Sequence, residues 1–169
     1  DNSTWASSDG GVTWQERGSI GNRTLGDEVL SIGDSLPNDS NYSIYSGSVI
    51  LSSRTLNSFN SKDLTYGDGK YLSVGNVNIQ GVMNGSVSNQ ADNDSRSFSS
   101  QSYSESGGYR VISSSDSGNS WLLLDNASFN NPRGITYGNG EFLVLTDNST
   151  WASSDGGVTW QERGSIGNR

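Results

Sequence analysis

Apolar and polar residues alternate most clearly between residues 133 and 163, where the pattern predicts four short β-strands. The stretch reads RGITYG, NG, EFLVLTD, NSTWASSD, GG and VTWQER. Asn139-Gly140 stands between two alternating runs, which is a strong hairpin signal because both central residues of such a turn take positive φ. Asp155-Gly156-Gly157 marks a second tight reversal.

The second of these strands carries apolar side chains on both faces. Phe142 and Val144 fall on one face, and Leu143 and Leu145 fall on the other. A strand of this kind is expected to be buried on both sides. Four-stranded sheets stacked face to face would achieve this.

Weaker versions of the same unit occur elsewhere in the chain. Residues 58–74 align with residues 128–145, with Asp68-Gly69 in place of Asn139-Gly140. Residues 109–121 repeat the third and fourth strands, and residues 47–54 carry a fainter copy. The sequence therefore predicts four units of about 36 residues, over residues 24–57, 58–92, 93–127 and 128–164.

A longer repeat encloses these units. Residues 1–23 recur without change as residues 147–169, an offset of 146 residues. An identity of this length indicates a tandem array with a 146-residue period, of which residues 24–169 are one full period. Residues 1–23 are then expected to form the second hairpin of a partial unit, within a much longer parent protein.

An eight-residue turn motif, Ser-x-Asp-x-Gly-x-Thr-Trp, occurs three times, once with Ser in place of Thr. In each copy the Asp side chain is expected to accept hydrogen bonds from the turn, while Gly supplies the left-handed conformation. The Trp rings are expected to be buried between neighbouring sheets. The motif residues are Ser7, Asp9, Gly11, Thr13, Trp14, Ser114, Asp116, Gly118, Ser120, Trp121, Ser153, Asp155, Gly157, Thr159 and Trp160.

This motif resembles the Asp-box, or BNR repeat, of sialidase-like β-propellers. The resemblance covers eight residues at each occurrence. It implies an all-β, β-propeller-like fold with four-stranded antiparallel blades, four blades per 146-residue period. It also implies that the Asp turns are structural, since in those propellers they lie away from the active centre. The blades could close into a ring or stack into an open spiral.

The same resemblance raises the hypothesis of a sialidase-type glycosidase. That family uses three arginines, a tyrosine paired with a glutamate, and an aspartate. The arginines occupy dissimilar contexts here: Arg54, Arg96, Arg110 and Arg133. Histidine is absent, which removes the commonest general base. The remaining carboxylate candidates are Asp27, Glu28, Asp92, Asp94 and Glu105. We therefore predict a protein that is not an enzyme.

Composition and charge restrict the partners. Eighteen acidic and ten basic residues give a net charge of −8, which disfavours nucleic acid and anionic membranes. No apolar run approaches the roughly 20 residues that span a bilayer, so no membrane insertion is expected. Cysteine is absent, and one carboxylate per turn is too few for calcium. We predict no metal and no cofactor.

Eight Asn-x-Ser/Thr sequons suggest N-glycosylation of an exported protein. They begin at Asn2, Asn22, Asn38, Asn41, Asn84, Asn93, Asn126 and Asn148. An extracellular or cell-surface location is expected on this basis. Such triplets also arise by chance in a chain rich in Asn and Ser.

The function predicted from the sequence is that of a structural repeat in a long surface or filament-forming protein. Its expected partners are neighbouring repeats or identical subunits. The alternative is a carbohydrate-binding adhesin module that recognises surface glycans. Its candidate sugar-stacking residues, each of which a core position would also explain, are Tyr42, Tyr45, Tyr103 and Tyr109.

Overall fold

The structure is a computed structural model that describes residues 3–25, 28–30, 46–89 and 94–166, and over these residues it is all-β without a helix. This confirms the predicted all-β class. Every strand pair whose register is given is antiparallel. The strands are β1 (Ser3–Ala6), β2 (Gln15–Ser19), β3 (Arg23–Thr24), β4 (Glu28–Leu30), β5 (Ser46–Gly67), β6 (Lys70–Asn89), β7 (Asp94–Ser114), β8 (Leu122–Phe129), β9 (Pro132–Gly138), β10 (Glu141–Thr146), β11 (Ser149–Ser153) and β12 (Gln161–Ser165).

Strands β9 to β12 form a four-stranded sheet in the order β12-β11-β10-β9. The four strands expected between residues 133 and 163 are therefore present. Asn139 and Gly140 join β9 to β10 with φ values of 52° and 82°. Both lie in the left-handed region, as expected for a two-residue hairpin turn.

Strand β10 is buried on one face only. Phe142 and Val144 are 1% and 0% exposed, whereas Leu145 is 47% exposed and Leu143 is half-buried. The expectation of burial on both faces is wrong for this chain. The described part of the chain places no sheet over the face that carries Leu143 and Leu145.

A second sheet has the order β3-β5-β6-β7-β8, and β4 also pairs with β5. Its three central strands are much longer than predicted, at 22, 20 and 21 residues. Strand β5 crosses the predicted unit boundary between residues 57 and 58. Residues 48–66 contain neither Gly nor Pro, so no local signal ends the strand there. The division into four 36-residue units stays a prediction.

The chain divides into two compact units. The first comprises Asp1–Gly21, Ser58–Val77 and Gly107–Arg169. Its core is a cluster of apolar side chains from β6 to β10, namely Leu72, Val74, Val111, Ala127, Phe129, Ile135, Phe142 and Val144.

The second unit comprises Asn22–Asn57 and Asn78–Ser106. Its buried apolar side chains are Val49, Leu51, Leu56, Ile79, Met83 and Tyr103. Gly81 allows this packing, because a Cβ there would lie 2.6 Å from the Tyr103 ring.

Strands β1 and β2 form a separate two-stranded sheet in the first unit. Their sequence is that of β11 and β12, and both hairpins have a register shift beside the threonine of the first strand. The identical segments thus adopt the same local structure. They differ in what surrounds them.

Candidate functional site

The Asp turn between β11 and β12 is closed by side-chain hydrogen bonds. Ser153 Oγ donates to Asp155 Oδ1 at 2.8 Å and accepts from Gly157 N at 2.8 Å. The Thr159 N–H donates to both Asp155 carboxylate oxygens at 2.9 and 3.1 Å. Thr159 Oγ1 donates to Asp155 Oδ2 at 2.5 Å. The four residues at the motif spacing therefore satisfy one another within a single turn.

The other two Asp turns repeat this network. Thr13 N and Oγ1 donate to Asp9 at distances of 2.6 to 3.1 Å. Ser120 replaces threonine in the third occurrence and still donates twice to Asp116, at 2.8 and 2.5 Å. The hydroxyl is the feature that the turn needs, and the threonine methyl group is dispensable.

Each Asp turn also contains two consecutive residues with positive φ. Gly10-Gly11 and Gly156-Gly157 hold these positions with φ between 72° and 91°. In the remaining turn they are Ser117 at 59° and Gly118 at 82°. Glycine adopts this conformation without steric cost, so its place in the motif follows from backbone geometry.

The hydrogen bonds keep the three carboxylates ionised. Donation from the Thr13 side chain is the largest cause that lowers the pKa of Asp9 from 3.8 to about 2, and the Ser120 side chain does the same for Asp116. Burial raises the pKa of Asp155, but hydrogen bonds from Thr159 and Ser153 outweigh it and the pKa falls to about 2. Such carboxylates are poor proton donors at neutral pH.

The three tryptophans of the motif differ in burial. Trp121 is 6% exposed, as expected, and its Nε1 donates to Thr4 Oγ1 at 2.8 Å. Trp160 is half-buried, with its ring 5.2 Å from the Phe129 ring in an edge-to-face arrangement. Trp14 is 58% exposed, so its predicted burial is wrong. No aromatic ring equivalent to Phe129 packs on it in the described chain.

Strand β11 contributes a further aromatic contact that the motif did not indicate. The Trp151 ring lies 6.0 Å from Phe129 at an angle of 75°. Its copy in β1, Trp5, is 54% exposed. The sequence signal for this contact was the tryptophan itself in the run NSTWASSD. Nothing in that run indicates that Phe129 is its partner.

An open groove of about 420 Å³ lies beside β1 in the first unit. Trp5 and Trp14 border it with their exposed rings. Its other large lining side chains are Leu64, Tyr71 and Trp121. Because rings and hydroxyl groups face the same space, the groove can stack against a flat apolar surface and hydrogen-bond at its rim.

Of the four tyrosines proposed as sugar-stacking residues, the structure describes two, and neither of these is exposed. Tyr103 is 4% exposed and belongs to the core. Tyr109 is half-buried, with Lys62 Nζ 5.9 Å from its ring centroid. Tyr42 and Tyr45 lie outside the described residues.

Of the candidate arginines, one is buried and two make local contacts. Arg54 is 2% exposed. Arg110 donates to Tyr109 O at 3.2 Å and Ser128 Oγ at 3.3 Å, and Arg133 pairs with Asp147.

Of the remaining catalytic candidates, Glu105 is half-buried. Asp27 and Asp92 lie outside the described residues, as do the side chains of Glu28, Asp94 and Arg96. Within the described ranges, no group of three or more acidic side chains could hold a metal ion. Among those residues there is also no helix long and apolar enough to cross a membrane.

Three sequons lie where side chains are described. Asn22 and Asn148 are exposed. Asn84 uses both amide atoms, since its Oδ1 accepts from Ser100 N at 2.9 Å and its Nδ2 donates to Ser52 at 3.5 Å. The other sequons, whose asparagine side chains lie outside the described residues, begin at Asn2, Asn38, Asn41, Asn93 and Asn126.

No protein-family model and no curated protein matches this chain.

Proposed function

We propose that this chain is a non-enzymatic structural repeat of a long, exported surface or filament-forming protein. Its units would be propeller-like blades with Asp turns between their third and fourth strands, and its partners would be neighbouring repeats or identical subunits. One observation carries the proposal: residues 1–23 and 147–169 are identical in sequence, and within them residues 3–19 and 149–165 fold into the same hairpin and turn. A sheet unit that needs neighbours on its faces can propagate through tandem copies.

The chemistry of the Asp turns supports a structural role. Each carboxylate accepts several hydrogen bonds from its own turn, and its pKa lies near 2. A general acid or base needs a pKa closer to neutral and a free approach for substrate. These groups fit the task of holding a turn closed.

Electron microscopy of a chain with several 146-residue periods tests the proposal. Ordered filaments with a constant axial rise per period are expected. A matched array carrying Asp155→Ala in every period should lose that order, because the turn then has no acceptor for Thr159. Separate compact particles at irregular spacing would contradict the filament proposal.

Carbohydrate binding is the second candidate, and the aromatic groove favours it. The exposed rings of Trp5 and Trp14 could stack on sugar faces. A glycan screen followed by calorimetry would test this, with Trp14→Ala expected to weaken binding at least tenfold. Val158→Ala is the control, because Val158 is 45% exposed and does not line the groove. Equal affinity of the two variants would exclude the groove as the sugar site.

A further inference from the structure

The two identical hairpins make contacts through opposite faces. In the hairpin of β11 and β12, Trp151 packs against Phe129 and Gly157 packs against Leu72 and Leu124. A Cβ on Gly157 would lie 2.6 Å from Leu72 Cδ2. This tryptophan face therefore rests on the core of the first unit.

The hairpin of β1 and β2 uses its threonine face instead. Thr4 Oγ1 accepts from Trp121 Nε1 at 2.8 Å, and Thr4 Cγ2 lies 2.7 Å from the position of a Cβ on Gly118. A Cβ on Gly18 would lie 2.3 Å from Asn119 O. In the turn formed by residues 118–121, here called the Trp121 turn, the first hairpin thus contacts Gly118, Asn119 O and Trp121.

The matching face of the second hairpin is open. Thr150 and Gly164 are the copies of Thr4 and Gly18, and they lie directly opposite each other in β11 and β12. A Cβ on Gly164 would meet no atom within 4 Å. One sequence therefore has two contact faces, and each copy in this chain uses a different one.

The open face continues across the sheet as an apolar surface. Leu145 pairs with both Thr150 and Gly134, so these residues share a face with Gly164. A groove of about 340 Å³ on this surface is lined by Gly134, Leu143, Leu145 and Thr150, among others. This surface, here called the outer face of β9 to β12, carries the leucines that the sequence pattern predicts to be buried.

We propose that the outer face of β9 to β12 docks on the Trp121 turn of a second copy of this chain. The hairpin of β11 and β12 would take the place that β1 and β2 hold here, with Thr150 and Gly164 in the roles of Thr4 and Gly18. The identity of the two hairpins is the argument, since the same side chains already make this contact once.

The rest of the docked sheet fits the surface beside that turn. Strand β10 pairs with the edge of β11 that is unpaired in β1. Its Leu143 and Leu145 would then fall next to β1's position, over the groove bordered by Leu64 and Tyr71. Leu64 is 48% exposed in this chain, so the exposed leucines of the outer face would contact a second exposed apolar surface.

The inference rests on the proposed tandem array and names its joining surface. In such an array a single hairpin would make both contacts. Its tryptophan face would complete one period, and its threonine face would cover the Trp121 turn of the next. The joining faces are unlike, so the contact is heterologous and can repeat without closing.

Substitutions of two equivalent glycines test the interface in the 169-residue chain. Gly18→Val clashes with Asn119 O, so it should displace the first hairpin and free the Trp121 turn. Sedimentation velocity should then show about a twofold or greater rise in weight-average mass, because the outer face of a second molecule binds there. The wild-type chain should stay monomeric, since its own hairpin competes at high effective concentration.

Gly164→Val is the matched control. Alone it meets open space and should leave melting unchanged. Combined with Gly18→Val it should abolish association, because the added side chain at position 164 then meets the partner's Asn119. Association of the double variant equal to that of Gly18→Val would overturn the proposal. A folded, monomeric Gly18→Val chain with a red-shifted tryptophan spectrum would also overturn it.

If the Gly18→Val chain unfolds, or if its first hairpin stays docked, a chain of two joined periods tests the same interface. Gly164→Val between the periods should lower Tm by about 5 °C, although it is harmless in the 169-residue chain. An unchanged Tm would refute the interface. If Tm is unchanged but ordered filaments form, the interface is wrong and the structural-repeat proposal is retained. If Tm is lowered but no filaments form, the interface is supported and only the filament proposal is refuted.

Discussion

The residue four positions after each turn aspartate carries a hydroxyl group that hydrogen-bonds the aspartate carboxylate and lowers its pKa. Thr13, Ser120 and Thr159 each donate through both the backbone and the side chain to the carboxylate of the same turn. These bonds are stronger when the acceptor is ionised, which is why the aspartate pKa falls. The ionised carboxylate is consequently held by hydrogen bonds from neutral donors of its own turn.

The lowered pKa values predict acid sensitivity. In the unfolded chain Asp155 titrates near 3.8, and in the folded chain near 2. Its stabilising contribution is complete above the unfolded value and is lost as the pH falls from about 4 toward 2. Thermal melts across this range should show Tm falling in the wild-type chain. Asp155→Asn should melt lower at pH 7 and lose less on acidification, whereas Asp68→Asn controls for the loss of one charge. Parallel pH profiles for wild type and Asp155→Asn would contradict this linkage.

The two copies of the turn tryptophan should differ in their contribution to stability. Trp160→Ala removes an edge-to-face contact with Phe129 and should cost at least about 2 kcal/mol. Trp14→Ala removes a ring that is 58% exposed, together with the hydrogen bond from its Nε1 to Gly11 O at 3.0 Å, and should cost less than about 1 kcal/mol. Urea denaturation of both variants measures the difference. Equal losses would mean that Trp14 is packed in solution.

The Asp turn between β11 and β12 packs closely against β6 because residue 157 is a glycine and has no side chain. Gly157 lies over Leu72 of β6, in the place where any Cβ would clash, whereas a Cβ on Gly11 would meet only Trp14 at 3.7 Å. Both glycines have φ near +90°. Gly11 is therefore required only for its left-handed backbone conformation. Gly157 is required both for that conformation and for close packing against Leu72.

Alanine at these glycines separates the two effects. Gly11→Ala should cost about 1–2 kcal/mol from left-handed backbone strain alone. Gly157→Ala should cost about 1–3 kcal/mol more, because the methyl group also displaces Leu72. Equilibrium unfolding in urea gives both values. If Gly157→Ala cost no more than Gly11→Ala, the contact between this turn and β6 would be looser than described.

Local signals predicted the turns and the short strands well. Asn139-Gly140 and the Asp motif specify positive φ and hydrogen-bond partners within a few residues, so sequence alone sufficed. The long strands β5 to β7 were not foreseen, because their Ser- and Asn-rich sequence has little apolar periodicity. The exposure of Trp14 could not be predicted either. It depends on which surface lies opposite, and identical residues meet different surfaces in the two copies.

The molecule has no disulfide to hold it together, so its described parts depend on packing and hydrogen bonds. Cysteine is absent, and two apolar cores lie in the two compact units. The net charge of −8 favours repulsion between copies that meet at random. Association then requires a specific apolar surface, which agrees with an interface built from leucines and the Trp121 turn.

The unlike surroundings of the two hairpins give polarity to any array built from this chain. One terminus would present the exposed Trp5 and Trp14 rings, and the opposite terminus would present Leu145. Because the first hairpin already covers its own Trp121 turn, a further copy would bind at that terminus only after displacing the hairpin. The two termini would therefore differ in how readily they bind a further copy. Sugar binding through the aromatic groove would be confined to the terminus that carries the tryptophans. The number of sugar-binding sites would then equal the number of filaments and would not increase with filament length.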